Sequence, residues 1–258
     1  MSALNRTIGS GERIKKFIGL PFLRALAVGV IDTLFPVFCL GCETPDEWLC
    51  ADCRMRIPLS HEHRCPSCFA HITPSGRTCF ACSEKYPLEG IFIASHYQVP
   101  LLARAIHAYK YRFLEKLSLQ LGTFLSDALR QTDIPLPDFI LPVPLHTRRL
   151  RFRGFNQSEL LADVLAKMLT PGIEIPVLRD CLLRTRYTKP QMKTTSRQER
   201  LANLKGAFAL NKGDRKKIKG KSLWLIDDVA TTGTTLAECA KVLKKSGAKS
   251  VFGIALAR

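Results

Sequence analysis

The sequence predicts an α/β fold: a parallel sheet flanked by helices, preceded by a small module organised around cysteine pairs. Three observations lead there. Two apolar runs without polar alternation, Leu223-Trp224-Leu225-Ile226 and Val251 to Ala257, read as strands buried on both faces of a parallel sheet. Between them Leu236, Ala240 and Leu243 recur at helical spacing and stop at Ser246-Gly247, which completes a strand-loop-helix-strand unit. Ahead of that unit, four Cys-x-x-Cys pairs fall between residues 39 and 82. A chain of 258 residues accommodates one large domain and smaller attachments, and a 46% hydrophobic content is enough for a core.

In chain order, residues 1–36 carry Arg13, Lys15 and Lys16 and then a mostly apolar run from Phe17 to Ile31. Pro21 and Arg24 interrupt this run and Asp32 closes it, short of the roughly 18 uninterrupted apolar residues a spanning helix needs. An amphipathic helix is expected, with peripheral contact at the inner face of a membrane as the weaker reading. The chain is accordingly expected in the cytoplasm, without a transmembrane segment. Cys39/Cys42, Cys50/Cys53, Cys65/Cys68 and Cys79/Cys82 follow. One Cys-x-x-Cys turn aims two thiolates at a tetrahedral ion and two turns close a Cys₄ site, so two structural Zn²⁺ are expected. Spacing suggests two successive ribbons, Cys39, Cys42, Cys50 and Cys53 and then Cys65, Cys68, Cys79 and Cys82, with a cross-braced pairing as the alternative. A disulfide framework is the rival, disfavoured by the absence of a convincing secretion signal. His61, His63 and His71 read as surface residues, and Cys181 and Cys239 as buried small hydrophobes.

After Pro87 the texture becomes that of the α/β domain. Ile91 to His96 reads as a strand; Leu101 to Arg112 and Leu114 to Arg130 read as helices. Phe139-Ile140-Leu141 is a short strand, and a strand-to-helix loop with Arg148, Arg149, Arg151 and Arg153 follows it. Asn156 and Glu159 have the spacing of a capping box for a helix whose stripe is Leu160, Leu161, Val164, Leu165 and Met168. The polar block Leu182 to Phe208, with Arg184, Arg186 and Arg197, reads as a lid or a disordered segment. The expected division is therefore 1–36 helix, 37–88 double ribbon and 89–258 α/β domain.

Chemistry concentrates at Leu223 to Thr235, LWLIDDVATTGTT. Asp227 and Asp228 sit where a buried strand runs out, and ligands of open α/β sheets bind beyond those ends. The loop Ala230, Thr231, Thr232, Gly233, Thr234 and Thr235 precedes a helix N-terminus, which favours a phosphate. A sugar phosphate with vicinal hydroxyls and a hydrated Mg²⁺ suits loop and acids together. Charge points to a second partner. The chain carries 39 Lys and Arg against 22 Asp and Glu, a net +17, and residues 142 to 221 alone hold 19 against 6. Such a track attracts nucleic acid backbone irrespective of sequence, with Phe152, Phe155 and Tyr187 as stacking surfaces. Neither a P-loop nor a G-x-G-x-x-G occurs, so an ATP-driven motor would have to be a partner.

The 13-residue stretch closely resembles the phosphoribosyl pyrophosphate (PRPP) signature of type I phosphoribosyltransferases, with Thr234 where that family commonly has Gly. The resemblance implies that Asp227 and Asp228 hold ribose hydroxyls and Mg²⁺, that Ala230 to Thr235 hold the 5-phosphate, and that Arg148 or Arg149 stabilises the departing pyrophosphate. Together with the cysteine pairs, the run Arg153-Gly154-Phe155-Asn156-Gln157 and the Leu182 to Phe208 block, the chain more narrowly resembles the ComF family of competence proteins. That implies a double zinc ribbon fused to a phosphoribosyltransferase fold, and a role in the uptake of single-stranded DNA beside a helicase-like motor and other competence proteins. Arg151, Arg153, Arg184 and Arg186 are the candidate nucleic-acid contacts. The alternative is a metabolic phosphoribosyltransferase with no DNA role.

Overall fold

The computed structural model describes residues 37–111, 116–187 and 202–258. The expected helix over 1–36 and the middle of the expected lid, 188–201, lie outside the described residues. The chain divides into two units, Met1–Val37 and Phe38–Arg258, and every described element belongs to the second.

The cysteine module comes first, with one short helix in each ribbon: α1 (Ala51–Met55) after Cys50 and α2 (Phe80–Ser83) after Cys79. Strand β1 (Gly90–Ser95) then leads into α3 (Pro100–Tyr111) and α4 (Leu117–Leu129). Strand β2 (Phe139–Pro142) is followed by α5 (Thr147–Arg153) and α6 (Gln157–Met168). A small antiparallel pair, β3 (Leu182–Arg184) and β4 (Phe208–Leu210), precedes α7 (Arg215–Ile218). The chain ends in β5 (Ser222–Val229), α8 (Thr234–Lys245) and β6 (Ser250–Ala257).

Strands β1, β6, β5 and β2 lie in that order and are all parallel. Side chains alternate across a strand, so β5 sends Trp224 and Ile226 to one face and Leu223 and Leu225 to the other. Trp224 and Ile226 join the cluster containing Ile106, Leu121 and Leu125 of α3 and α4 and Leu161 and Leu165 of α6. Leu223 and Leu225 join the cluster containing Leu236, Ala240 and Leu243 of α8 and Phe208 of β4. Each fully buried Leu or Ile contributes about 1.5–3 kcal/mol relative to exposure. That is why the expected uninterrupted apolar runs were needed.

Several expectations change in detail. The acids do not lie beyond the strand: β5 runs to Val229, because Asp227 and Val229 still pair with Ala255 and Ala257 of β6. The arginine loop is largely helical. His146 caps α5 by accepting from the Arg148 N–H at 3.2 Å, and Gly154 ends it at φ +80°. The buried stripe of α6 is Leu161, Ala162, Leu165 and Ala166, with Leu160, Val164 and Met168 only half-buried. Small residues there let α4 approach so closely that a Cβ on Gly122 would meet Val164 at 2.4 Å. Asn156 does cap α6, accepting from Ser158 N–H at 3.2 Å, but Glu159 completes no capping box; it pairs with Arg179 at 3.2 Å instead.

The ribbons are docked on the sheet. Strand β1 is an edge, and an uncovered edge offers unpaired backbone groups to any passing strand. Here the Ser60 N–H donates to Ala94 O at 2.8 Å, Ser95 Oγ donates to Pro58 O at 2.6 Å, and Thr78 N–H donates to Glu89 O at 2.8 Å. The turn at Gly76 crosses β1 so closely that a Cβ there would stand 2.0 Å from the Ile91 carbonyl oxygen, and Gly76 also holds φ +74°. The first ribbon packs inward as well, placing Leu49, Cys53 and Ile57 in the cluster of α3 and α4. Gly76→Ala is therefore expected to lower stability by at least about 1–3 kcal/mol from backbone strain alone, read as a lower melting temperature with faster proteolysis between residues 58 and 90. Gly172, at φ +77° with nothing within 4 Å of an added Cβ, is the control: its Ala variant should leave the ribbon protease-resistant.

Candidate functional site

Parallel packing brings the ends of β2 and β5 side by side, with Pro142 opposite Ile226 and Val143 N–H donating to Ile226 O at 2.9 Å. The loops that leave these strands therefore face one another at one edge of the sheet. Asp227 and the loop residues Ala230, Thr231, Gly233, Thr234 and Thr235 line one small concavity at the start of α8. Gly233 is the N-cap at φ +68°, so no capping side chain occupies the first-turn N–H groups. Thr232 and Thr234 pair through their hydroxyls at 2.8 Å, and Thr234, 4% exposed, opens the helix where a glycine was the commoner expectation. The geometry offers backbone N–H groups and hydroxyls to an anion.

The two acids differ. Asp227 Oδ1 accepts from the Asp228 N–H at 2.9 Å and from Ser158 Oγ at 3.4 Å. Burial, reinforced by the neighbouring Asp228, pushes the Asp227 carboxyl up to about 7. A raised folded value means the folded protein holds a proton the unfolded chain would release. This carboxyl thus opposes folding increasingly as pH climbs from the ordinary carboxylate range through about 7. Asp228, 8% exposed, carries an ion pair with Lys110 Nζ at 2.9 Å.

The arginines separate into groups. Arg149 is half-buried and its guanidinium is held below the usual value, first by burial and then by Arg153, with Asp228 among the charges acting on it. Arg148 is exposed, 5.3 Å over the Tyr187 ring. Arg151 is exposed on α5; Arg153 stacks 5.3 Å over Tyr111 and donates to Gln157 Oε1 at 3.0 Å. Arg184 is turned inward. It lies 5.4 Å over Phe208, and burial followed by Arg149 holds it below its ordinary value, with Asp227 acting oppositely. Arg186 donates to Asn203 O and Lys205 O at 2.8 and 2.9 Å, tying together the chain on either side of 188–201.

The cysteines fall into two clusters with sequential pairing: Cys39, Cys42, Cys50 and Cys53, then Cys65, Cys68, Cys79 and Cys82, with the sulfurs of each within 4.8 Å of one another. A tetrahedral ion with bonds of about 2.3 Å sets its sulfurs about 3.8 Å apart. Observed separations of 3.6 Å for Cys39–Cys50 and Cys42–Cys50, and 3.9 Å for Cys68–Cys79, fit. Backbone N–H groups point at sulfur as they do at thiolates: Gly41 and Cys50 to Cys39, and Cys79 to Cys65, all at 3.4 Å. The thiols compete for charge. Contacts with Thr44 pull Cys42 down to about 6 and with His71 pull Cys68 down to about 5, while burial and neighbouring sulfurs push Cys53 and Cys79 up to about 12. A bound dication resolves that competition in favour of four thiolates. Cys181 and Cys239 are buried elsewhere, as expected.

Residues 156–257 match the phosphoribosyl transferase domain family and residues 30–90 the double zinc ribbon domain family. The chain is 33% identical over 221 residues to the DNA utilization protein YhgH of Escherichia coli strain K12, covering 79% of this chain and 93% of that protein. It belongs to the ComF family. Competence protein F of Haemophilus influenzae is 32% identical over 215 residues, covering 81% of this chain and 90% of that protein. Competence protein ComFC of Streptococcus pneumoniae is 28% identical over 217 residues, covering 83% and 89%. The ComF architecture, a double zinc ribbon joined to a phosphoribosyltransferase fold, accounts for both the cysteine clusters and the parallel sheet.

Two residues at this site of the ComF chain, Lys110 and Ser158, were not singled out from the sequence, and Gln157 was noted only within the 153–157 run. Lys110 lies in the last turn of a helix that also carries Arg104 and His107, where a lysine is ordinary, and only the fold carries it to Asp228. Ser158 reads as a first-turn helix residue. Gln157, 1% exposed, bonds Arg153 through Oε1, while Nε2 is a buried donor without a partner among the described residues. Among the described residues no helix is long and apolar enough to cross a membrane. Elemental analysis of the purified protein should give two zinc per chain. Because pairing is sequential, Cys65→Ser with Cys68→Ser should remove one zinc and leave the first site filled; loss of both would mean that the two sites fold as one.

Proposed function

We propose that this chain binds Mg·PRPP at the sheet edge and single-stranded DNA along its basic face, and that it acts in DNA uptake in the cytoplasm. The observation that carries the ligand reading is the adjacency of the acid pair, a hydroxyl-rich helix N-terminus and, on α5, Arg149, on whose guanidinium Asp228 acts. Asp227 and Asp228 would hold the ribose hydroxyls and Mg²⁺, Thr231 to Thr235 the 5-phosphate, and Arg148 or Arg149 the pyrophosphate. Mg²⁺ takes oxygen ligands and would neutralise pyrophosphate charge there. Lys110 already neutralises Asp228 and would exchange that contact when the ligand's own cation arrives. The DNA reading is supported by the excess of 19 Lys and Arg over 6 Asp and Glu in residues 142 to 221 and by relatives named for DNA utilization and competence. A helicase-like motor and other competence proteins are the expected partners. The second reading, phosphoribosyl transfer to an acceptor, is favoured by the intact acid pair.

Asp227→Ala with Asp228→Ala is expected to abolish Mg·PRPP binding in calorimetry without loss of zinc; undiminished binding would place the site elsewhere. The pH dependence has a definite sign. If ionised Asp227 is the competent form, with a carboxyl at about 7, affinity for Mg·PRPP should rise about tenfold between pH 6 and pH 8. An Asp227→Asn variant should be flat across that range.

Nucleic acid provides a separate test. Binding to single strands should exceed binding to duplex, vary little with sequence and weaken steeply with salt. Arg151→Ala with Arg153→Ala should reduce the salt slope by up to about two charges and spare PRPP affinity, whereas Arg148→Ala with Arg149→Ala should weaken PRPP more than DNA. No salt-sensitive binding to any single-stranded oligonucleotide would remove the DNA reading.

A further inference from the structure

A cleft of about 480 Å³ opens between the second ribbon and the sheet, and shares Ala230 and Gly233 with the concavity at the start of α8. Small-ligand sites span roughly 300–1,000 Å³. Its floor is apolar, made by Ile91 and Ile93 of β1, both buried, with Phe69 reaching in from the ribbon. Its rim is basic: His61, His96, Arg64 and Arg258 face it. Among the described residues Glu62 is the one acid in the lining, and it pairs with Arg64 at 3.8 Å. One wall is the phosphate loop itself, at Ala230, Thr232 and Gly233.

The cleft is held in shape by specific contacts. Phe69 sits at φ +59°, a left-handed backbone that a bulky residue rarely adopts and that persists only where neighbours enforce it. The enforcing contacts are its N–H donating to Cys65 O at 2.9 Å and its C=O accepting from Arg64 at 3.4 Å. The Arg258 guanidinium lies 4.3 Å from the ring centroid, and backbone bonds to Ser95 and Tyr97 hold Arg258 in turn. Gly233 is packed against the floor: a Cβ there would stand 2.5 Å from Ile91 Cδ1. Ribbon, floor and phosphate loop are thus fixed to one another.

We infer that this cleft seats one nucleoside monophosphate unit, its base against Ile91, Ile93 and Phe69 and its phosphate toward Arg64 and Arg258 at the rim. The chemistry selects that class. A bare anion would leave the apolar floor wet, and an apolar ligand would leave the basic rim without a counter-charge. A flat ring bearing one phosphate matches both. The seat is separate from the concavity assigned to PRPP, and the two share only the loop between them, so the inference holds whether or not PRPP fills the other side. The unit comes either as a free mononucleotide or as one nucleotide of a single strand. In the second case the cleft names the seat of the DNA proposed above.

Photo-crosslinking of the full-length, zinc-loaded protein separates these sources. One arm uses 5-iodo-2′-deoxyuridine 5′-monophosphate and the other a single-stranded oligonucleotide carrying one 5-iodouracil. Adducts are expected on peptides within residues 59–69 or 91–96, suppressed at least fivefold by excess thymidine monophosphate. His61→Glu with His96→Glu, both exposed and outside the zinc sites, should cut the yield similarly while zinc content and melting temperature stay unchanged. Labelling of the cleft in the first arm assigns it to free nucleotide, and labelling only in the second assigns it to a strand. Adducts confined to residues 143–157, no adduct in either arm, or cleft adducts indifferent to the double variant would overturn the inference. Mg·PRPP titration of the same preparation reads the acid-pair site independently.

Discussion

Four parallel strands with both faces covered leave one place for polar chemistry, the edge where all of them end in the same direction. The hydrogen-bond register of β2, β5 and β6 fixes that edge. It sets Val143 against Ile226 and Ala230 against Ala257, each through a backbone bond of 2.9 Å. The loops after β2 and β5 cannot then avoid one another, and the acids, hydroxyls and arginines they carry share one small volume. A buried carboxylate there is expensive in isolation. The chain answers with Lys110 on one acid and with a raised proton affinity on the other. In the proposed Mg·PRPP complex an incoming cation would substitute for the lysine and for the proton.

The same constraint explains the zinc. A parallel sheet has exposed edges as well as ends, and β1 would be such an edge without the ribbons. Residues 58–60 and 76–78 cover it with backbone bonds and a glycine crossing, so β1 is buried from end to end. Ribbons this small gain their order from the ions they bind. Metal content therefore acts on the sheet edge, and through Ile91 and Gly233 on the phosphate loop. Two modules that a sequence reading places side by side form one continuous wall.

Much of this was legible in the sequence because it follows from local pattern. Uninterrupted apolar runs identified β5 and β6, a 3.6-residue period identified α8, and Cys-x-x-Cys spacing identified both clusters. The acids and the threonine loop stood out because such residues directly after a buried strand have few structural reasons to be there. What was not legible depends on partners distant in sequence. Lys110 meets Asp228 only when α3 folds over the end of β5. Local sequence pattern could not show that the acids remain within β5, since that depends on how far β6 runs beside them. Arg148 to Arg153 form a helix because His146 and Gly154 bound it, a pattern hidden within a run of charge. Glu159 had the spacing for a capping box and was claimed instead by Arg179. His63, read as a surface residue, stacks on Phe92 at 5.1 Å because the ribbon lies on β1.

Hydrogen–deuterium exchange with and without Mg·PRPP tests the central claim most directly, because it reads the backbone groups said to hold the ligand. The account predicts slower exchange over residues 229–236, where loop and first-turn N–H groups meet the 5-phosphate, together with a change at the end of α3 as Lys110 leaves Asp228. Saturating Mg·PRPP that leaves residues 229–236 unchanged, or protects only segments away from the ends of β2 and β5, would contradict it.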